Sequence, residues 1–449
     1  MTRPYRPLLI NNENLRKYTF RRAVNLHITQ CYNEQISRLP GKDYMNEEFD
    51  VLIVGGGMVG AAVACALGGS ELKVGLVEQS RPEAFSVEQP HDMRVSALSI
   101  ASKTILETVG AWDAIIGMRS CPFKRMRVWE TAGDTEFNSD AIDYDALGYI
   151  VENRVTQLAL LHRAQEFSNV QLLCPESIKK IYYTEGRGSV ELEAGRSLSA
   201  KVMVGADGGQ SRVRQTVGLG VTSWDYQQHA MVINVATDYE QQDITWQRFV
   251  PTGPQAFLPL TGSLGSIVWY NTPDEVKRLK ALPEADLLVE LTATFPECLG
   301  KINRILGVAS FPLKRQHAQE YVRQGVALVG DAAHMINPLA GQGVNIGLLD
   351  AAMLAEVLLE ASDKGKNIAD LTVLKRYERL RRNENLKMMT VMDLFYRVFS
   401  NKMLPVKFFR NLGLGLAERI TPLKNKVMRG AMGLEGRLPK LAKGETIIS

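Results

Sequence analysis

The most constraining feature of the chain is a run of nineteen uncharged residues, 51–69, of which six are glycine and three of those consecutive. Its length is that of a membrane-spanning helix, but its glycines argue for a different object. Val51-Leu52-Ile53-Val54 has the composition of a strand buried on both faces. It runs into Gly55-Gly56-Gly57-Met58-Val59-Gly60, a G-x-G-x-x-G turn, and the stretch from Ala61 to Leu67 is expected to be a helix. Gly55 permits the tight turn, Gly57 lets backbone approach a pyrophosphate, and Gly60 lets helix and strand pack closely. The helix start then offers free N–H groups and the positive end of its dipole to phosphates.

A lone G-x-G-x-x-G is weak evidence, and its surroundings decide. Lys73-Val74-Gly75-Leu76-Val77 reads as a second strand ending in Glu78, about twenty residues after the glycines, where a carboxylate accepts hydrogen bonds from an adenosine ribose. A second glycine-aspartate site follows the strand Lys201-Val202-Met203-Val204, as Gly205-Ala206-Asp207-Gly208. A third follows residues 325–329, as Gly330-Asp331-Ala332-Ala333-His334, and continues through Pro338, Gly341-Gln342-Gly343 and Asn345 into a long helix expected at 343–361. That helix start is a second dipole-positive site.

The rest of the chain limits the chemistry. At 449 residues and 45% hydrophobic, it has room for one large or two modest domains with a real core. Its five cysteines are scattered without a C-x-x-C pair, which argues for a reducing compartment and against a disulfide framework or zinc site. The histidines show no metal-ligand spacing, and no second G-x-G-x-x-G follows a strand, so a separate nicotinamide-binding Rossmann domain is not expected. The net charge of +4 is uneven: residues 1–44 carry +5 and residues 401–449 carry +7, which leaves the body at −8. Basic ends on an acidic body suit contact with an anionic surface; no nucleic-acid-binding motif accompanies them. Residues 1–44 lack the apolar core of a secretory signal. Met45, just before the first strand, is where the folded chain would naturally begin, and the extension before it is expected to be a misplaced start without function.

The three motifs, in this order, resemble the single-component FAD-dependent aromatic hydroxylases built like para-hydroxybenzoate hydroxylase. The resemblance implies an α/β fold: a Rossmann-like FAD-binding domain with an antiparallel-sheet substrate domain. It implies that Gly55, Gly57, Gly60 and Glu78 hold the ADP half of FAD. It places Asp207 between the flavin and nicotinamide sites, Asp331 on the ribityl chain, and the backbone of Gly343, Val344 and Asn345 beside the flavin ring. Arg94 fits an early arginine near the flavin; its plainer reading is a surface salt bridge. Asn153, Arg154 and Gln157, at an expected helix start, are alternatives for a further flavin contact, of which Asn153 and Gln157 are carried forward. Pro338 and Gly343 are the expected catalytic positions, Pro338 beside the reacting oxygen; its plainer reading is a turn before the helix. The implied cycle takes electrons from NAD(P)H and activates dioxygen as a flavin C4a-hydroperoxide. His334 is read as structural rather than as a base.

Short β-type runs at 230–235, 245–250, 255–260 and 266–270, separated by turn residues such as Pro251-Thr252-Gly253-Pro254, read as a sheet covering the flavin. Their aromatic and aliphatic side chains suit a hydrophobic substrate. The C-terminal stretches 403–414 and 421–434 mix Phe, Leu and Met with Lys and Arg, the pattern of an interfacial helix or of a docking helix with a solvated face. Residues 148–153, 337–345, 392–396 and 410–414 bring the resemblance closer, to the bacterial ubiquinone-biosynthesis hydroxylases. It implies a polyprenyl benzoquinol substrate, a cytoplasmic enzyme held at the inner membrane surface, and a place in a ubiquinone-biosynthesis enzyme assembly. The domains are expected at 45–220 and 311–400 for FAD, 221–310 for the substrate sheet and 401–449 for the basic segment. Rival readings are a sibling hydroxylase acting at another ring position, a flavin halogenase (whose W-x-W-x-I-P stretch the tryptophans here do not form), a prenyl-lipid reductase, and a non-catalytic scaffold subunit.

Overall fold

The structure, a computed structural model, describes residues 46–130, 134–184, 186–295, 300–336, 342–399 and 428–448. The extension 1–44, Pro338, and residues 401–427 of the basic segment lie outside the described residues.

The uncharged run is a strand, a turn and a helix. Strand Asn46–Val54 lies inside an eight-stranded sheet, paired in parallel with Ser197–Gly205 on one side and with Val74–Val77 on the other. Val170–Leu173 and Val326–Leu328 extend the parallel order outward. Central parallel strands are covered on both faces, and Val51, Leu52 and Ile53 are fully buried. Helix Met58–Leu67 packs against helices Asn153–Gln165 and Gln342–Asp363, and every residue from Gly60 to Leu67 is buried. A helix buried all round needs no polar face, which is why this stretch of sequence resembles a membrane span. Among the described residues no helix is long and apolar enough to cross a membrane.

The second large sheet also has eight strands. Its centre is the expected set: Val221–Thr237, Ile244–Val250, Gly253–Pro259 and Leu264–Asn271. Gly253 and Pro254, expected in the turn, begin a strand. The sheet is wider than the range 221–310. Strand Ile302–Ala318 runs past 310, and Arg125–Trp129 and Asp134–Asn138 join its other edge through a parallel pairing with Ile244–Val250. Side chains alternate across the sheet. One face buries Ile233, Trp246, Phe257 and Ile267 under helices Pro273–Lys280 and Glu284–Thr294. The other face turns toward the FAD-type domain.

A three-stranded sheet, Val95–Ser99, Gly148–Glu152 and Cys121–Phe123, lies between these layers in the chain. The last part of the expected interfacial stretch is docked on the protein: Met428 and Met432 are buried with Phe123, Leu147 and Ile150.

Candidate active site

The first turn does what its glycines allow. Gly55 has φ +104°, a conformation that side chains rarely adopt. A Cβ on Gly60 would stand 1.9 Å from the Gly55 carbonyl oxygen, so strand and helix meet there only without one. A Cβ on Gly57 would meet nothing within 4 Å, because that side of the turn opens on a cavity. Gly57 caps helix Met58–Leu67 without a side-chain acceptor, so the N–H groups of the first turn face the opening uncapped.

Glu78 and Gln157 stabilise this turn from behind. The Gly56 N–H donates to Glu78 Oε2 at 2.7 Å, and Gln157 Nε2 donates to the Gly56 carbonyl at 2.9 Å. Arg154 is committed elsewhere: it forks onto Asp92 with two bonds of 2.9 Å and reaches the carbonyls of Glu83 and Ala84. Of the three alternatives at this helix start, only Asn153 lines the cavity, and its Oδ1 accepts from Ser96 Oγ at 2.7 Å.

The cavity has a volume of about 460 Å³. On one side lie Gly57, Arg94, Asn153, Asp331, Gly343 and Val344, all expected from sequence. On the other lies the free face of the second sheet, including Val232, Thr245, Gln247, Leu258 and Val268, with Met126 from its wider edge and Phe123 from the three-stranded sheet. Asp331 has no hydrogen-bond partner among the described residues and opens on the cavity. The mass of protein around it raises its carboxyl above the usual value, with His334 and Arg94 opposing. Arg94 is exposed to the cavity and forms no ion pair among the described residues, so it is not a surface salt bridge.

At two of the expected positions the side chain turns away from the opening. Asp207 does not line the cavity: its Oδ2 accepts the backbone N–H groups of Arg212 (2.7 Å) and Val213 (3.1 Å), capping the short helix Arg212–Thr216. A carboxylate five residues before a helix start serves its free N–H groups, and the backbone of Ala206 and Gly208 reaches the cavity instead. The side chain of Asn345 is buried and clamps helix Gln342–Asp363 to strand Val95–Ser99. Its Oδ1 accepts from Ser99 N–H (2.9 Å) and Ser102 Oγ (2.7 Å), and its Nδ2 donates to the Ala97 carbonyl (2.9 Å).

The residues that sequence reasoning missed are the sheet edge at Met126 and a polar cluster under the third motif. His334, read as structural, is buried there against Asp350. A visible signal existed for its partners: Tyr377, Arg381 and Asn385 recur every fourth residue, one face of a helix.

The cavity fits a dinucleotide flavin. An uncapped helix start and an open glycine face suit a pyrophosphate, and an unpartnered carboxylate suits hydroxyl groups. The comparisons agree. The FAD binding domain family matches residues 48–391. The 3-demethoxyubiquinol 3-hydroxylase of Escherichia coli is 42% identical over 390 residues, which cover 87% of this chain and 100% of that one. The ubiquinone hydroxylase UbiL of Rhodospirillum rubrum is 38% identical, over 88% of this chain and 92% of that one. In fold, p-nitrophenol 4-monooxygenase PnpA of Pseudomonas putida superposes with a TM-score of 0.70 at 21% identity, over 88% of this chain and 100% of that one. With this cavity and these likenesses, the chain belongs to the FAD-dependent hydroxylases of the ubiquinone-biosynthesis family: it is a flavoprotein monooxygenase using FAD, NAD(P)H and dioxygen.

Proposed function

We propose that the enzyme hydroxylates the benzoquinol ring of a polyprenylated ubiquinone precursor at the position acted on in demethoxyubiquinol hydroxylation. The observation that carries this reading is the two-sided cavity, with dinucleotide turns on one wall and an apolar sheet face on the other. The 42% identity to the Escherichia coli enzyme supports the ring position over a sibling one.

Bound FAD supplies the activation of dioxygen. The chain's own residues do the rest. The Gly57 turn and the helix start behind it receive the pyrophosphate, with Glu78 at the ribose end. Asp331 and Arg94 face the middle of the cofactor. The N–H groups of Gly343 and Val344 direct the positive end of a 22-residue helix at the flavin ring, where negative charge gathers on reduction. Phe123, Met126, Leu258 and Val268 line the opposite wall. They bind a ring by its apolar faces and keep out water, which would divert the activated oxygen to peroxide.

Membrane association is part of the proposal. Residues 401–449 carry +7, and a lipid-tailed quinol is presented at a bilayer surface. The enzyme works there as a peripheral protein on the cytoplasmic side of the inner membrane, within a ubiquinone-biosynthesis assembly. Lipid analysis of a strain lacking the gene tests the reading. Accumulation of the demethoxy quinone is expected; accumulation of an earlier, less oxygenated phenol would transfer the enzyme to a sibling step. Restoration of the quinone by an Asp331→Ala, Gly57→Val protein would show a scaffold instead.

A further inference from the structure

Under the Gly330–His334 turn lies a buried polar cluster for which the flavin chemistry above has no use. Asp350, on helix Gln342–Asp363, is wholly buried. One of its oxygens meets the Gly330 N–H (3.3 Å) and His334 Nε2. The other accepts from Arg381 Nε (2.8 Å) and Asn385 Nδ2 (2.9 Å), and Arg381 also donates to Asn385 Oδ1 (2.7 Å). Arg381 and Asn385 are 3% and 1% exposed. They sit one turn apart on helix Leu371–Phe399. A turn earlier, Tyr377 donates its hydroxyl to the Leu328 carbonyl (2.8 Å), and the neighbouring Glu378 accepts the Tyr321 N–H (2.8 Å). One face of this helix therefore grips strand Val326–Leu328 and the turn that leaves it.

Stability alone does not account for the charges. A buried ion pair replaced on both sides by well-packed apolar residues is often as stable or more so. What the charges supply is orientation. Two donors fix the second oxygen of Asp350, so the first is presented to Gly330 and His334. These two residues bracket Asp331, whose carboxylate opens on the cavity. Asp350 also lies two turns into the helix whose positive end faces the same cavity, and a carboxylate without a counter-charge would oppose that field.

We propose that Arg381 and Asn385 are positioning residues for the flavin: acting through Asp350, they hold the Gly330–His334 turn in place and aim Asp331, and Arg381 cancels the charge that would weaken the helix field. The proposal rests on FAD occupying the cavity and is independent of which ring is hydroxylated.

Three variants of the full chain test it: Asn385→Ala, Arg381→Lys, and the double variant Asp350→Leu with Arg381→Met, which removes both charges together so that neither is left buried alone. The readouts are FAD affinity by reconstitution of the apoprotein, the flavin midpoint potential, and thermal unfolding of the apoprotein. The double-variant apoprotein should melt close to the parent, while the two single variants, which each leave a buried partner poorly paired, melt lower. FAD dissociation constants should rise about tenfold in all three, the loss expected for one well-placed hydrogen bond, and midpoint potentials should move negative in the two single variants, where the hold on the Asp350 charge is weakened. Parental affinity and potential in both Asn385→Ala and Arg381→Lys would overturn the proposal, whatever the double variant does. None of these readouts uses the quinol, so a wrong substrate would leave them unchanged.

Discussion

Gly57 and Gly60 stand three residues apart and ask opposite things of a side chain. At Gly60 an added methyl would collide with the Gly55 carbonyl at 1.9 Å, so Gly60→Ala should prevent the turn from closing and lower both stability and FAD content. At Gly57 the protein offers no obstacle, so Gly57→Ala should fold with an unchanged melting temperature yet bind FAD at least tenfold more weakly, since its methyl occupies the space of the pyrophosphate. Thermal melts of apoprotein beside FAD titrations check both; a Gly57→Ala protein with full FAD affinity would place the phosphates elsewhere. The glycine spacing made this backbone legible in the sequence. The side chains were less so. Glu78, Asp207 and Asn345 were recognisable as polar residues near a turn. Asp207 turns to the N–H groups of Arg212 and Val213 just ahead of it, but which way Glu78 and Asn345 turn depends on partners distant in the chain. Asn345 finds Ser99 and Ser102, more than two hundred residues earlier.

At the scale of elements, Asn345 joins the helix whose start faces the cavity to the strand that follows Arg94. Asn345→Ala would take the Oδ1 acceptor from the buried Ser99 N–H and Ser102 hydroxyl, at a cost of roughly 2–4 kcal/mol. It should lower the melting temperature by several degrees and weaken FAD binding in step; Asn345→Leu, of similar size, should do no better. Retained stability in both would mean that the clamp is not what holds the helix. The docked C-terminal turn gives a second test. Met428 and Met432 are each 2% exposed, and truncating a buried methionine to alanine costs about 2–5 kcal/mol. The double variant Met428→Ala, Met432→Ala should expose the C-terminal segment to limited proteolysis while the rest of the chain resists; unchanged protection would show that other contacts hold it.

The strands between 230 and 271 were legible because short runs of β-type residues stand between clear turn signals. The edge at Arg125–Trp129 was not. Its pairing with Ile244–Val250 is parallel and joins segments more than a hundred residues apart, and Arg125 and Arg127 disguise it as surface. The stripe Tyr377, Arg381, Asn385 was hidden for the related reason that charge on a helix usually marks a solvated face, whereas here the face is buried against Asp350.

For the molecule as a whole, buried His317 and half-buried His91 contribute to how stability depends on pH. His91 and His317 are both pushed down to about 4, from an ordinary value of 6.5, first by burial and then by nearby positive charge, from Arg119 on His91 and from His334, Arg382 and Arg315 on His317. Each binds a proton more readily when unfolded. Stability should therefore be fully present above pH 6.5 and fall as pH drops toward 4, by up to about 1.4 kcal/mol per pH unit for each histidine. Denaturant midpoints across that window should show the slope, and His317→Gln should flatten it; an equally steep slope in the variant would assign the effect to other groups.

The two large sheets face one cavity, one with glycine-rich turns and the other with a largely apolar wall. The central claim is that this cavity transfers an oxygen atom to a quinol ring. The most direct measurement supplies the purified holoenzyme with NAD(P)H, a demethoxy benzoquinol carrying a short prenyl tail, and isotopically labelled dioxygen, and follows the label by mass spectrometry. One labelled oxygen atom on the ring for each nicotinamide oxidised is the predicted result. Nicotinamide oxidation that yields only labelled peroxide or water, with an unlabelled ring, would contradict it.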